Sequence, residues 1–230
     1  PIDICQRLQA FFLQGPLAAV SVTITAGPTH EPIDPVRFIG NRSSGKMGFA
    51  LARAFVLAGA KVTLIAGPVH LETPAGVKRI NVETAEQMFA AVQQTMDACQ
   101  IFVASAAVAD YRPVKAADQK IKKSTAHLSL QLQPNPDILS WVAGREEPPF
   151  TLGFAAETQD VEHYALDKLK RKRLRMIAAN QVGAAEGGFG SDKNAVKLLW
   201  HDGQVDLPMM DKNRLAREIV LHVVERFNQN

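Results

Sequence analysis

The chain has 230 residues, of which 47% are hydrophobic and 21% charged, and its formal net charge is +3. This composition is that of a globular protein with a normal core, large enough for one α/β domain or two small ones, and it argues against disorder. No run approaches the roughly 18 apolar residues of a membrane span, and no secretory signal is visible. The two cysteines, Cys5 and Cys99, have no disulfide or metal-ligand spacing and indicate free thiols in a reducing compartment. We therefore expect a cytoplasmic protein.

The spacing of apolar residues predicts strands and helices in alternation. Strands are expected at Val20–Thr25, Lys61–Ala66, Lys78–Val82, Gln100–Ala107, Phe150–Ala156 and Met176–Ala179. Helices are expected at Lys46–Leu57, Thr84–Ala98, Pro134–Gly144, Val161–Leu174 and Lys212–Phe227. This order predicts an α/β fold: a Rossmann-like, doubly wound, mainly parallel sheet with helices on both faces.

Two segments lie outside the alternating pattern. A hairpin is expected at Ala195–Leu207, because Asp202-Gly203 is a strong type I′ turn signal. The stretch Lys120–Leu132 has no clear period and predicts an arm or flap. We assign residues 1–19 to an N-terminal segment or linker and residues 20–230 to a single nucleotide-binding domain.

The loop between the first strand and the first helix concentrates polar chemistry. It runs for about twenty residues after Thr25 with no predicted structure of its own, which is typical of functional loops. Ser43 or Ser44 is the expected cap of the helix, whose free N–H groups favour an anion, and Lys46 adds a positive charge. The segment GNRSSGKM comes close to a P-loop, but Met47 stands where a hydroxyl should bind Mg²⁺, which argues against a Walker-type ATPase.

Later strands also end in polar residues. Asp110 follows the fourth strand and Glu157 follows the fifth, so both should approach the first loop at one edge of the sheet. Asn135 and Pro136 suit the N-cap and first position of a helix. The run KIKK, beginning at Lys120, suits either closure over phosphates or a solvated loop.

A basic block occupies positions 168–175, where six of eight residues are Lys or Arg. It could be a solvated helix face, a grip for a small polyphosphate, or a nucleic-acid contact. The block lacks the interleaved aromatic residues of a single-strand binder, which disfavours nucleic acid. The six histidines have no metal spacing, so the metal ligands stay unassigned.

Two other functions are compatible with the same fold. One is an NAD(P)-dependent oxidoreductase, but the chain lacks G-x-G-x-x-G after its first strand. The spacing Tyr-x-x-x-Lys occurs at Tyr111 with Lys115 and at Tyr164 with Lys168, but the second pair lies late in the chain in a charged helix. The other is a nucleotide-binding regulatory module that catalyses no reaction.

Five linked motifs carry a more specific resemblance. TAGPTHEPIDPVRFIGNRSSGKMG, AAVADYRP, KIKK, NPDIL and GFAAET, in this order and spacing, resemble the bacterial phosphopantothenate–cysteine ligases (phosphopantothenoylcysteine synthetases) of coenzyme A biosynthesis over about residues 20–227. The resemblance implies that the carboxylate of 4′-phosphopantothenate attacks the α-phosphate of CTP, giving an acyl-cytidylate and pyrophosphate. The amine of L-cysteine then displaces CMP. The preference for CTP over ATP follows from the resemblance alone.

The same resemblance implies a wider assembly. In this family the ligase is commonly the C-terminal half of a polypeptide whose N-terminal half is a flavin-dependent decarboxylase, so any FMN would belong to that domain and not to this chain. Mg²⁺ would accompany the CTP. The family is dimeric, with the flap and the phosphopantothenate site near the subunit interface, and the fused domain could build a higher assembly. Neither nucleic acid nor a membrane is an expected partner.

Carried over motif by motif, the resemblance also implies residue roles. Asn41 should hold the acyl group and assist the second step, and Lys120 should reach the reacting phosphates from the flap. The expected nucleotide contacts are Ala104, Ser105, Ala106, Asp110, Lys120, Pro136, Asp137, Ile138, Leu139, Phe154, Lys168 and Lys172. The expected contacts to the acid substrate are Asn41, Ser43, Ser44, Gly45 and Lys46.

Overall fold

The computed structural model of the chain describes residues 15–123, 127–157, 160–181 and 190–229. The weak helical pattern at Ile2–Leu13, Cys5, and residues 124–126 of the expected flap lie outside the described residues. The helices are α1 (Lys46–Leu57), α2 (Ala85–Gln93), α3 (Ile138–Ala143), α4 (Val161–Arg171) and α5 (Lys212–Phe227), with a short 3₁₀ turn at Met96–Ala98. The strands are β1 (Ser21–Ala26), β2 (His30–Pro32), β3 (Phe38–Gly40), β4 (Lys61–Ala66), β5 (Val77–Asn81), β6 (Ile101–Ala104), β7 (Tyr111–Pro113), β8 (Leu132–Pro134), β9 (Phe150–Glu157), β10 (Met176–Gln181), β11 (Lys193–Trp200) and β12 (Gly203–Asp211).

One eight-stranded sheet organises the domain, in the order β5-β4-β1-β6-β9-β10-β11-β12. Six neighbouring strands of this sheet, β5, β4, β1, β6, β9 and β10, are parallel. β11 and β12 are antiparallel additions at one edge. The chain builds outward from β1 in one direction through β4 and β5, then returns to build in the other direction from β6. The predicted doubly wound sheet with a C-terminal hairpin is therefore confirmed.

Helices cover both faces of the sheet, because alternate residues of each parallel strand are apolar. In β10, Met176 and Ala178 face the cluster formed with α1 and α5, whereas Ile177 and Ala179 face the cluster formed with α2, α3 and α4. Runs that are apolar on both sides are expected of strands buried between two helical layers. Within the described part of the chain, no helix is long and apolar enough to cross a bilayer.

The start of α1 differs from the prediction in one respect. The helix has the predicted bounds, but its N-cap is Gly45, at φ 75°, and no side chain caps it. Ser43 and Ser44 were expected to cap it, and that expectation is wrong. Ser43 Oγ instead accepts a hydrogen bond from the Gly45 N–H at 3.4 Å. The N–H groups of the first turn are consequently left without a competing side-chain oxygen.

The loop after β1 has structure of its own, contrary to the prediction. β2 and β3 pair as an antiparallel ribbon, and the turn between them is held by Asp34. Its carboxylate accepts hydrogen bonds from the Arg37 side chain, from the backbone N–H groups of Val36 and Arg37, and from the Ile121 N–H at 3.0 Å. The Arg37 guanidinium, opposed in part by burial and helped by these N–H groups, holds the pKa of Asp34 well below its usual range.

Asp137 caps α3, not Asn135 as predicted, by accepting from the Ser140 N–H at 3.0 Å. Pro136 therefore precedes the cap instead of following it. The reason is tertiary: Asn135 is engaged elsewhere, donating to the Ala109 carbonyl at 2.8 Å and accepting from the Arg112 guanidinium at 2.8 Å. At the start of α2, Thr84 is the cap and forms a capping box with Gln87.

The predicted C-terminal hairpin is present, but its turn is not the predicted type I′. Trp200 pairs with Gly203, so the two loop residues are His201 and Asp202. Neither residue is among the described residues with positive φ, which a type I′ turn requires. A Cβ at Gly203 would lie 2.7 Å from the Trp200 ring. Gly203 therefore serves close packing instead of turn geometry.

Candidate active site

A cleft of about 760 Å³ opens at the carboxyl ends of β1 and β6, where the direction of sheet building reverses. Ligands of open α/β sheets bind at this switch point. The residues predicted for the site that line the cleft are Asn41, Ser43, Ser44, Gly45, Lys46, Ala104, Ser105, Ala106, Asp110, Pro136, Asp137, Ile138, Leu139, Phe154, Lys168 and Lys172.

Lys120 is the predicted site residue that this cleft does not include. Its side chain is exposed, and its neighbour Ile121 is held by the β2–β3 ribbon through Asp34 and Arg37. The role of Lys120 as a residue that reaches the phosphates stays a prediction. Glu157 ends β9 at the same edge of the sheet, but its side chain lies outside what the structure describes.

The first turn of α1 forms one wall of the cleft. Gly48 lets this turn approach the sheet closely, since a Cβ there would lie 2.5 Å from the Ala26 Cβ and 2.9 Å from the Ser105 Oγ. The free N–H groups at the start of a twelve-residue helix favour a negatively charged group. The sequence-based expectation of an anion at this wall fits this geometry.

Asn41 ties the loop before α1 to the loop after β6. Its side-chain Nδ2 donates to the carbonyls of Ala107 and Val108 at 3.1 and 3.2 Å. No described residue donates a hydrogen bond to its Oδ1. The side chain is exposed at the cleft wall, so this oxygen can accept a hydrogen bond from a ligand.

The chain after β6 forms the floor of the cleft from small residues. Ser105 N–H donates to the Thr25 carbonyl at 3.1 Å, and Ala106 N–H donates to the Thr25 hydroxyl at 3.4 Å. Further along, Asn135 fixes the backbone on both sides of the Asp110 carboxylate by donating to the carbonyls of Ala109 and Asp110. The small side chains of Ala104 and Ala106 leave room for a planar ring close to the backbone.

Two lysines of the basic block face the cleft from α4 and its C-cap. Lys168 Nζ donates to the Phe154 carbonyl at 2.8 Å, and Lys172 Nζ contacts both oxygens of Asp137 at 2.6 and 2.8 Å. Burial raises the pKa of Asp137, but the hydrogen bonds from Lys172 and Ser140 outweigh it and leave the pKa below its ordinary value. The neighbouring basic residues Lys170, Arg171, Arg173 and Arg175 are exposed to solvent.

Sequence reasoning did not assign six polar residues that line the cleft to the site, and topology explains the position of two of them. β11 runs antiparallel to β10, so its first residues lie at the carboxyl edge of the parallel strands, and the end of β12 returns to the same edge. This brings Asn194 and Lys212 to the carboxyl end of β10 and the amino end of α1. The unassigned residues are Thr25, Arg42, Asn135, Asn180, Asn194 and Lys212.

The described residues contain no group of three or more His, Cys, Asp or Glu side chains that could hold a metal ion. The carboxylates that line the cleft are Asp110 and Asp137. Since Lys172 already neutralises Asp137, a protein-borne metal site has little support in this part of the chain.

Comparison with known proteins agrees with this geometry. The model of the family described as "DNA/pantothenate metabolism flavoprotein C-terminal domain" matches residues 17–227. The coenzyme A biosynthesis bifunctional protein CoaBC of Vibrio cholerae is 52% identical over 97% of this chain, and those of Haemophilus influenzae and Escherichia coli K12 are 51% and 47% identical over 100%. The chain spans 57–58% of the length of these relatives.

Solved structures share the fold. The C-terminal domain of a CoaBC protein superposes with a TM-score of 0.81 at 37% identity, covering 94% of this chain and 100% of that one. A Cab2 mutant in complex with phosphopantothenate-cysteine reaches a TM-score of 0.74 at 16% identity, over 99% of this chain and 94% of that one. At 16% identity, this likeness shows a shared fold and no more.

Proposed function

Because the chain belongs to the family of DNA/pantothenate metabolism flavoprotein C-terminal domains, we propose that it is a phosphopantothenate–cysteine ligase acting in coenzyme A biosynthesis with CTP. In the first step a carboxylate oxygen of 4′-phosphopantothenate forms a bond to the α-phosphorus of CTP, and pyrophosphate leaves. In the second step the cysteine nitrogen forms a bond to the acyl carbon and loses a proton, and CMP leaves. A carboxylate needs such activation because its own oxygen is a poor leaving group.

The observation that carries the proposal is the position of Asn41. Its amide binds the loop after β6 and lines the same cleft as the first turn of α1 and Ala104–Ala106, and we infer that the carboxylate and the α-phosphate meet beside it. With Nδ2 fixed by two carbonyls, Oδ1 is directed to accept a hydrogen bond from the attacking amine of cysteine. Fixed orientation of this kind lowers the entropic part of the barrier.

The other end of the cleft suits the nucleotide. Backbone groups of Ala104–Ala106 and the turn at Pro136–Leu139 surround a flat space, and Phe154 lines it. Lys168 and Lys172 stand on the same side with their ammonium groups already oriented by protein oxygens. Such preoriented charges stabilise the negative charge of a triphosphate as it redistributes during reaction.

Mg²⁺ fits this site as a companion of the nucleotide. With no multi-carboxylate cluster among the described residues, the phosphates would be its principal ligands, and Asp110 is the lining carboxylate that could join them, since Asp137 is paired with Lys172. When bound, it would offset phosphate charge.

We further propose that the protein is a homodimer whose second copy covers the two small ribbons, β2–β3 and β7–β8. In and beside these ribbons lie apolar residues that the described part of the chain leaves exposed: Val36, Phe38, Tyr111, Val114 and Leu132. Lys120 lies beside this surface. The flap would then act close to the interface.

The function is tested by mixing the protein with 4′-phosphopantothenate, Mg²⁺ and CTP, ATP or GTP, with and without L-cysteine. We expect pyrophosphate release with CTP in both cases and the amide product when cysteine is present. No pyrophosphate release with any nucleotide would refute the ligase assignment. Release with ATP instead of CTP would refute the nucleotide assignment alone.

A further inference from the structure

One corner of the cleft contains a buried charge that the proposed reaction has not used. Lys212, the first residue of α5, is 7% exposed and lines the cleft. Lysine is almost never buried to this degree without a compensating partner. Desolvation and the nearby charge of Lys46 both lower the pKa of Lys212, and Asp192 opposes them.

The two ammonium groups hold adjacent residues of one segment. Lys212 Nζ donates to the Ser191 carbonyl at 2.6 Å, and Lys46 Nζ contacts Asp192 Oδ1 at 2.7 Å. The Asp192 side chain is 80% exposed, so a ligand can displace it at little cost. We call Lys46, Asp192, Asn194 and Lys212 the lysine corner.

Asn194 provides an independent observation. It is 7% exposed, lines the cleft, and its side-chain amide makes no hydrogen bond to any described residue. Because the residue is buried in the cleft wall and its amide is unpaired, the amide can bind a ligand in the cleft. The register of β11 against β12 shifts between Asn194 and Val196, and bulges of this kind often redirect side chains beside active sites.

The chemistry of the corner selects its ligand. Two ammonium groups and one exposed carboxylate leave a net positive charge, which disfavours a cation. A single carboxylate on the ligand would leave one ammonium uncompensated once Asp192 moves aside. A terminal phosphate carries about two negative charges and three acceptor oxygens, enough for both lysines and the Asn194 amide. The uncapped first turn of α1, which begins at Lys46, favours the same charge.

We propose that the lysine corner is a phosphate subsite, in which Lys212 and Asn194 join Lys46 in binding a terminal phosphate group of a substrate. The proposal rests on the proposed function for the identity of that substrate. The phosphate comes from one of two sources: the triphosphate, whose end leaves as pyrophosphate, or the phosphate ester of the acid substrate.

The first experiment measures binding of inorganic pyrophosphate by titration calorimetry, which needs no turnover. Wild type is compared with Lys212→Met and Asn194→Leu, which keep size and remove polarity. Lys212→Arg is the conservative variant. Lys61→Met is a matched control at the amino end of β4, on the side of the sheet away from the cleft. We expect affinity to fall about tenfold or more in the first two variants, to recover in Lys212→Arg, and to be unchanged in the control.

The second experiment separates the two sources. A rise in the KM for CTP in Lys212→Met assigns the corner to the triphosphate, and a rise in the KM for 4′-phosphopantothenate assigns it to the ester. Unchanged pyrophosphate affinity in Lys212→Met and Asn194→Leu, with wild-type unfolding temperatures, overturns the proposal. So does a wild type that does not bind pyrophosphate. If binding depends on Lys212 but no ligase turnover occurs, the proposed function fails and the phosphate subsite stands.

Discussion

Replacing Asn41 with aspartate should separate the two steps of the reaction. The change exchanges the Nδ2 donor for a carboxylate oxygen, which would then face the Ala107 and Val108 carbonyl oxygens now 3.1 and 3.2 Å from Nδ2. Two hydrogen bonds at about 1 kcal/mol each are lost, and repulsion is added. The loss of about 2 kcal/mol in positioning corresponds to roughly a 30-fold decrease in the rate that depends on it.

The affected rate should be amide formation. In the proposed mechanism the acyl-cytidylate forms through phosphate contacts made by other residues, so pyrophosphate release should change much less in a single turnover. Rapid-quench experiments with labelled CTP would follow acyl-cytidylate, CMP and amide together, and the intermediate should accumulate in Asn41→Asp. Asn228→Asp, with the same charge change beyond the far end of α5, is the matched control. Amide formation at the wild-type rate in Asn41→Asp would refute the role given to this residue.

Three further variants test other parts of the argument. Lys168→Met should raise the KM for CTP about tenfold, because a charge-assisted contact is lost, whereas the exposed Lys170→Met should not; equal effects in steady-state assays would contradict the assignment. Asp34→Asn should lower the unfolding temperature at pH 7. Because the folded-state pKa of Asp34 is depressed, the stabilisation by its carboxylate is present above about pH 4 and fades as the pH falls. The difference in unfolding temperature between wild type and Asp34→Asn should therefore shrink at pH 3. A difference that stays constant with pH would contradict this role of Asp34. Gly48→Ala should destabilise the protein by about 1–3 kcal/mol through overpacking, measured by denaturant unfolding, and a neutral result would show that α1 can move away from the sheet.

Much of the site could be predicted because its residues follow strands whose boundaries are visible in the sequence. The apolar stripe of α1, flanked by Gly45 and Gly59, gave the helix its observed bounds. The carboxyl ends of parallel strands meet at one edge, so the motifs after β1 and β6 had to be neighbours. The doubly wound order followed from the alternation of elements alone.

The remaining features depend on tertiary contacts that periodicity does not encode. Asn135 is a sound N-cap by local preference, but Arg112 and the Ala109 carbonyl bind it from outside the helix. Lys212 looked like the ordinary first residue of a surface helix. Its burial depends on the register of β11 and β12, which a local pattern cannot supply.

The turn at Asp34 has a consequence for chimeras in which segments are exchanged between related proteins. Its carboxylate binds the β2–β3 turn and the Ile121 N–H simultaneously, so the stem of the flap and the ribbon that leads to Asn41 form one mechanical unit. A flap exchanged from Lys122 onward keeps this joint, whereas one exchanged from Ile121 or earlier keeps it only if the new residue 121 offers its backbone N–H and carbonyl at the same place. Chimeric ligases designed to alter what the flap closes over should therefore move the ribbon and the flap stem together.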